Sequence, residues 1–456
     1  MDELPISKNM HFEMTIEDIG SKGEGIGKIN DFTVFVEGGL PGDKIEVRIV
    51  KVKKTYGYGK LIRIIEASPM RVTPLCPYAK RCGGCQIQHF DYQAQLDFKR
   101  KKVADNIERI GKLTDVVVHP TLGMKEPFYY RNKAQFPVKM KDGKVQIGFY
   151  AQRSHDIVDI PKCYIQDPVN DEIIKIMRNY IETYNVSVYD EENHKGLIRH
   201  ILTRAGFQTK EVMVCIIING KDIPHKDKLI AQLTKIPNMK SIVLNHNTQK
   251  TNVILGDKIT TLWGQDYITD YIGDVKFEIS PLSFFQVNPM QTKVLYDKAL
   301  EYAQLNGDEV VWDAYCGIGT ISLFLAKKAK KVYGVEIVEA AIEDARRNAK
   351  INNIDNVEFF VGKAEEVIPA LYEEKGIKAD VIVVDPPRKG CDEALLETMA
   401  KMEPKRIVYV SCDPGTLARD LKILSEQGYK VEEAQPVDMF AHSVHVECVV
   451  LMCASS

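Results

Sequence analysis

Cys412 closes the apolar run Arg406-Ile-Val-Tyr-Val-Ser411 and precedes Asp413-Pro414. A single cysteine is most often a small buried hydrophobe. One that ends a strand and leads into a turn is better placed to react, provided a depressed pKa or a nearby base supplies the thiolate. The base is sought in the last apolar segment, where Glu447 ends Ala441-His-Ser-Val-His-Val-Glu447. His442 and His445 flank it as alternatives, though each reads more simply as a hydrogen-bonded structural histidine. A thiolate beside a methyl donor has a defined use. Sulfur added to C6 of a pyrimidine makes C5 nucleophilic. C5 then takes the methyl, and a base removes the C5 proton so that the thiol can leave.

A site for such a donor is read in Asp313-Ala-Tyr-Cys-Gly-Ile-Gly-Thr320. Two glycines let the backbone turn tightly and approach a ligand. A lone G-x-G is a weak signal by itself. Glu336 ends the next apolar segment, where a carboxylate can accept hydrogen bonds from both ribose hydroxyls. The loop lacks the Gly-Lys-Ser/Thr of a phosphate-binding loop, which favours a nucleoside over a triphosphate. Asp313, Gly317, Gly319 and Glu336 together suit S-adenosylmethionine. Asp385-Pro-Pro-Arg-Lys-Gly390 brings a further carboxylate to the same edge.

Four of the ten cysteines form a separate set: Cys76-x5-Cys82-Gly-Gly-Cys85 and the distant Cys163. Four thiolates suit either zinc or a 4Fe–4S cluster. Structural zinc usually shows two paired knuckles, whereas one pair plus two isolated cysteines suits a cluster better. Spacing alone leaves iron and zinc open.

The elements that must carry these residues fall into three parts. Residues 1–68 read as a small antiparallel barrel of the oligonucleotide-binding sort, with strands such as Phe32–Val36 and Lys44–Val50 divided by glycine turns. Lys44 to Arg63 holds seven basic residues and one acid, with Tyr56 and Tyr58 interleaved. Basic strands with aromatics suit stacked, single-stranded nucleic acid. Residues 69–280 read as a mixed α+β domain, opening with a helix over 91–112 that could pack on the catalytic domain. Its basic run Lys99–Lys102 reads as a solvated face. From 309 strands and helices alternate strictly, which means a mostly parallel, doubly wound sheet covered on both faces, so residues 281–456 form an α/β domain.

Net charge is −2, but it is unevenly spread. Residues 1–140 hold 23 Lys+Arg against 17 Asp+Glu, an excess of +6, and the remainder holds 38 against 46, or −8. A basic first third can follow a phosphate backbone while the rest does chemistry. No apolar run approaches the ~20 residues of a membrane helix. Residues Met1 to Met10 lack a signal-peptide core. The cysteines are too sparse for a disulfide scaffold. A cytoplasmic protein with no membrane association and no obligate protein partner is expected.

Together these residues resemble the RNA (uracil-5-)-methyltransferase family, in its 23S rRNA branch with an N-terminal TRAM domain. The motifs that carry the likeness are Cys76-x5-Cys82-Gly-Gly-Cys85-Gln-x-Gln-His89, Phe284-Phe-Gln-Val-Asn-Pro289, Asp313-x-Tyr-Cys-Gly-x-Gly319, Asp385-Pro-Pro-Arg-x-Gly390 and Ser411-Cys412. The resemblance implies a class I methyltransferase sheet at the C-terminus and an OB-like TRAM barrel at the N-terminus. It implies that Gln286, Tyr315, Glu336 and Asp385 contact S-adenosylmethionine, and that Cys412 is the nucleophile and Glu447 the base. It implies a 4Fe–4S cluster on Cys76, Cys82, Cys85 and Cys163, and 23S rRNA as the partner. Two positions depart from the family pattern. Asp413 stands where Asn is common, and Phe440-Ala-His-Ser-Val-His445 lacks a proline that usually shapes the turn before the base. The competing readings are a tRNA or cytosine enzyme of the same chemistry, and a nucleic-acid-binding module with a vestigial catalytic fold.

Overall fold

Apolar and polar residues alternate through the first part of the chain, and the strands bury the apolar set inward. A computed structural model describes residues 4–455. Strands β1 (His11–Ile19), β2 (Gly25–Ile29), β3 (Phe32–Glu37), β4 (Lys44–Val52) and β5 (Tyr56–Glu66) close a barrel in the order β1-β2-β3-β5-β4. Ile16, Val34, Val36, Ile45, Val47 and Ile49 fill it. The barrel is not wholly antiparallel. Because β4 closes it against β1, β5 inserts between β4 and β3 and runs parallel to β3.

Helix α1 (Tyr92–Arg109) starts at Asp91, whose carboxylate accepts from the N–H groups of Gln93 and Ala94. Its Val103 and Ile107 enter the core of the C-terminal sheet, as does Val118 of the short strand β6 (Val117–Val118). The basic run on this helix is only in part a solvated face: Arg100 and Lys101 are exposed, but Lys99 is not. Lys99 is fully buried and pairs with Asp438, a partner that local periodicity cannot reveal.

The middle sheet has the order β13-β12-β11-β10-β7-β8-β9. Its elements are β7 (Lys133–Lys141), β8 (Lys144–Tyr150), β9 (Ile157–Asp159), α2 (Val169–Thr183), β10 (Ile198–Ala205), β11 (Val212–Ile218), α3 (Lys226–Leu233), β12 (Met239–His246) and β13 (Lys258–Gly264). Ile173 and Met177 of α2 and Leu229 of α3 pack with its strands. The hairpin of β14 (Ile268–Ile272) and β15 (Val275–Ile279) instead joins the core of the C-terminal sheet, through Ile268, Val275 and Phe277.

That sheet is built from α4 (Pro289–Ala303), β16 (Val310–Ala314), α5 (Thr320–Ala326), β17 (Lys331–Glu336), α6 (Glu339–Ile351), β18 (Val357–Val361), α7 (Ala364–Lys375), β19 (Val381–Val384), α8 (Glu393–Lys401), β20 (Arg406–Ser411), α9 (Pro414–Glu426), β21 (Tyr429–Val437) and β22 (Glu447–Ala454). Its order is β18-β17-β16-β19-β20-β22-β21-β6. The first five are parallel, and β22 runs antiparallel to both its neighbours. Strand order reverses between β16 and β19, where open α/β sheets place their ligand crevice. Among the described residues no helix is long and apolar enough to cross a membrane.

Candidate active site

A cavity of about 1210 Å³ opens at the carboxyl ends of β16, β17, β19 and β20. Its nucleoside-like end is shaped by backbone. After β16 the chain takes left-handed conformations at Tyr315 (φ 70°), Gly317 (φ 55°) and Gly319 (φ 81°). Gly319 starts α5, and a Cβ there would lie 3.1 Å from the Phe359 ring and 3.3 Å from Ala345. A Cβ on Gly317 would meet nothing within 4 Å. Glu336, at the end of β17, accepts from Gly317 N at 3.2 Å and Val338 N at 3.0 Å. Each carboxylate oxygen keeps a lone pair for a further donor.

The electrostatics ask for a ligand that brings donors or positive charge. Asp313 is fully buried. One of its oxygens accepts from the Ser322 hydroxyl, and the other, Oδ1, has no partner. Burial pushes its carboxyl up to about 7, and the nearby charges of Asp385 and Glu336 add to this. Burial also raises Asp385 to about 7. Gln286 and Tyr315 line the same cavity, as do Glu336 and Asp385. The segment carrying Gln286 is held by the middle sheet, since Asn132 Nδ2 donates to Gln286 O at 3.0 Å.

Cys412 and Glu447 stand beside these acids. In the antiparallel register Ser411 lies opposite Cys448, so the next residues outward, Cys412 and Glu447, face each other at the strand ends. Both line the cavity. Glu447 is 3% exposed, and burial pushes it up to about 8, with Asp385 adding and Arg388 opposing. The Cys412 thiol is pushed up to about 12 by burial and then by Glu447 and Asp385, again opposed by Arg388. Burial and the neighbouring carboxylates therefore favour the protonated thiol, and the sulfur becomes reactive when positive charge enters or a base takes its proton. Arg388 is a cation whose role the sequence reading missed, and its place after Asp385-Pro-Pro was the available signal.

The two histidines differ. His442 is absent from the cavity wall. Its N–H donates to Gln95 Oε1 at 2.9 Å, and its ring stacks on Phe128 at 4.5 Å. His445 is on the wall, and burial together with Arg388 and Lys102 holds it neutral, down to about 4. Asp413 caps α9, accepting from Gly415 N at 2.9 Å and Thr416 N at 3.1 Å. Asn and Asp cap equally well, so this departure leaves the local geometry intact.

Cys76, Cys82, Cys85 and Cys163 line the same cavity. Gly84 N donates to Cys82 Sγ at 3.4 Å, and the backbone of Ile165 and Gln166 favours the Cys163 thiolate. Burial, and then the other cysteines, push Cys163 up to about 11 and Cys85 higher. Gln88 accepts from Cys76 N at 2.7 Å through Oε1, while its buried Nε2 has no partner. Among the described residues no three of His, Cys, Asp and Glu stand close enough to hold a single metal ion.

The sequence profile of the tRNA (Uracil-5-)-methyltransferase family matches residues 91–455, and that of the TRAM domain matches residues 11–62. A Clostridium tetani protein described as an uncharacterized RNA methyltransferase is 58% identical over 451 residues, 99% of this chain and 98% of its own. A Bacillus cereus protein of the same description is 55% identical over 98% of this chain and 97% of its own. Among solved structures, Pyrococcus abyssi tRNA (uracil-54, C5)-methyltransferase in complex with S-adenosyl-L-homocysteine is similar, with a TM-score of 0.78 and 32% identity. The match covers 97% of this chain and all of that one.

Proposed function

The chain belongs to the tRNA (uracil-5-)-methyltransferase family, and from that premise we propose that it methylates C5 of a uridine in 23S rRNA, in the cytoplasm, through a covalent Cys412 adduct. It is an RNA methyltransferase with a site for S-adenosylmethionine and its product, S-adenosylhomocysteine. The observation that carries the mechanism is the pairing of Cys412 with Glu447 at the edge of an acid-rich nucleoside pocket.

The residues of that pocket fit the methyl donor. Glu336 would take the ribose hydroxyls, Gln286 and Tyr315 would line its path, and Asp385 would face its charge. When bound, S-adenosylmethionine supplies an electrophilic methyl group and a positive charge. The thiol of Cys412 gives up its proton to solvent, and the thiolate sulfur bonds to C6 of the uracil. The electron pair of the C5=C6 bond moves toward C4=O and leaves C5 nucleophilic. Once C5 is methylated, Glu447 takes the C5 proton. The C6–S bond then breaks, and the C5=C6 double bond returns with Cys412 free. A stacked base hides C6, so the target uridine must be extruded or single-stranded. The barrel supports such an RNA: Phe35, Tyr56 and Tyr58 pack with ring centroids 5.6–5.8 Å apart, and Tyr58 is 39% exposed.

We propose that Cys76, Cys82, Cys85 and Cys163 hold a 4Fe–4S cluster as a structural element, on the chemistry of four thiol donors. The four thiols line one cavity, and the Gly84 N–H is directed at Cys82 Sγ. We propose three domains, with the catalytic one taking in α1, β6 and the β14–β15 hairpin as well as the C-terminal sheet.

A tRNA substrate is the second reading. The Pyrococcus abyssi enzyme acts on tRNA by its description and matches almost all of this chain, barrel included, so the barrel does not select rRNA. Methyl transfer to 23S rRNA and tRNA transcripts, with mapping of the product, decides the substrate. Cys412→Ala is expected to abolish transfer, and RNA containing 5-fluorouridine to trap a denaturation-resistant adduct on the unsubstituted enzyme. An active Cys412→Ala variant ends the covalent mechanism.

A further inference from the structure

The segment from Asp438 to Val446 delivers Glu447 to the cavity yet belongs to no strand or helix. It holds one residue in the left-handed region, His442 (φ 66°), and lacks the proline expected there. Its path is instead fixed by donors from elsewhere, one carbonyl at a time. Gln291 Nε2 donates to Asp438 O at 3.1 Å and Asn288 Nδ2 to Met439 O at 3.1 Å. Lys99 Nζ donates to Phe440 O at 3.0 Å and Tyr130 Oη to Ala441 O at 3.0 Å. Ile87 N donates to His442 O at 3.0 Å and Lys102 Nζ to Val444 O at 2.9 Å.

Lys99 is the centre of this arrangement. Besides Phe440 O, it reaches Asp438 Oδ1 at 2.5 Å, and both side chains are fully buried. Asp438 Oδ1 also accepts from Phe440 N at 3.2 Å, and Oδ2 accepts from the Tyr92 hydroxyl at 2.8 Å. Removing two charges from water costs about as much as their attraction returns, so such a pair is weak evidence for stability. What it does provide is one geometry, with a helix side chain tied to both a carboxylate and a carbonyl of the turn.

We infer that Lys99 and Asp438 are positioning residues that set the turn bearing Glu447, and that their contribution falls on removal of the C5 proton rather than on formation of the adduct. The inference rests on Glu447 being the base. Cys412 arrives on a different strand, β20, which is held on its other side by β19 and whose pairing with β22 starts at Cys448, beyond the turn. Loss of the pair therefore separates the two steps.

The test uses the full chain and an RNA substrate tritiated at C5 of its uridines. Tritium released to water reports proton removal, and denaturation-resistant protein–RNA complex reports the adduct. In the double variant Lys99→Met/Asp438→Asn both buried charges are gone together, which avoids leaving one unpaired. Tritium release is expected to slow roughly a hundredfold, the loss that a misplaced catalytic group typically causes. Adduct should form at near the unsubstituted rate and accumulate. Tyr92→Phe, which removes one hydroxyl, should slow release less and in the same direction. Equal slowing of both steps, or unchanged tritium release in either variant, overturns the inference. Glu447→Gln is run alongside: if it releases tritium at the full rate, the base assignment itself falls. If it is slow while both other variants are not, only the positioning role falls.

Discussion

Burial holds the carboxyl of Glu447 protonated up to about pH 8, and Asp385 strengthens the effect while Arg388 opposes it. A base must be ionised to act, so proton removal is expected to rise with pH through about 8 and level off above it. Stability moves the other way. The folded chain binds this proton more tightly than the unfolded chain, whose glutamate ionises in the ordinary carboxylate range, ~4.3. Stability is therefore greatest below that range, falls as pH rises toward about 8, and is flat beyond. Asp313 and Asp385, raised to about 7, slope in the same sense. The pH profile of tritium release and unfolding midpoints across the same range check both limbs. Glu447→Gln should remove the kinetic limb and reduce, but not abolish, the slope in stability. A stability slope unchanged by the substitution would mean that Glu447 ionises normally.

Helix α9 begins two residues after Cys412, and the intervening Asp413 caps it. Two backbone N–H groups that would otherwise lack partners end on its carboxylate. Asp413→Ala should cost about 1 kcal/mol of stability, while Asp413→Asn should cost little. Because the cap also fixes where Cys412 leaves β20, the Ala variant is expected to slow adduct formation as well. Thermal unfolding and adduct kinetics of the two variants test this together. Elements of this kind were legible in the sequence wherever the signal is local. Strict strand–helix alternation gave the C-terminal sheet, and a cysteine before Asp-Pro marked the strand end. What depends on distant partners was not legible. Lys99 looks like one of four surface cations until Asp438 is brought to it. The β14–β15 hairpin reads as part of the middle region, yet its apolar face finds α4 and α6. The direction of β5 in the barrel likewise follows from closure, which no strand's own pattern contains.

At the scale of the whole molecule the barrel, the cysteine-bearing segment with α1 and the turn before Glu447 meet at a seam. Ile19 and Leu40 of the barrel share a small core with Ile87 and Phe90, with Ala94 and Phe98 of α1, and with Val444 of the turn before Glu447. The cysteine-bearing segment crosses this seam and is itself poor in regular structure, tied down by isolated bridges such as Arg71 with Phe90 and Cys82 with Ala151. A segment with few backbone bonds of its own needs another restraint, and four thiols facing one space offer it. Anaerobically purified protein is therefore expected to carry iron and inorganic sulfide, and Cys163→Ser should lower both. Stripping the iron should lower the unfolding temperature and open the chain around Cys76–Gln88 to protease. S-adenosylhomocysteine should still bind after stripping, because Tyr315, Glu336 and Asp385 sit on the C-terminal sheet, whose core does not include the cysteines. Protein that holds zinc without iron, or that is equally stable and protease-resistant after stripping, would remove the cluster from this account and leave the seam to hold by its apolar core alone.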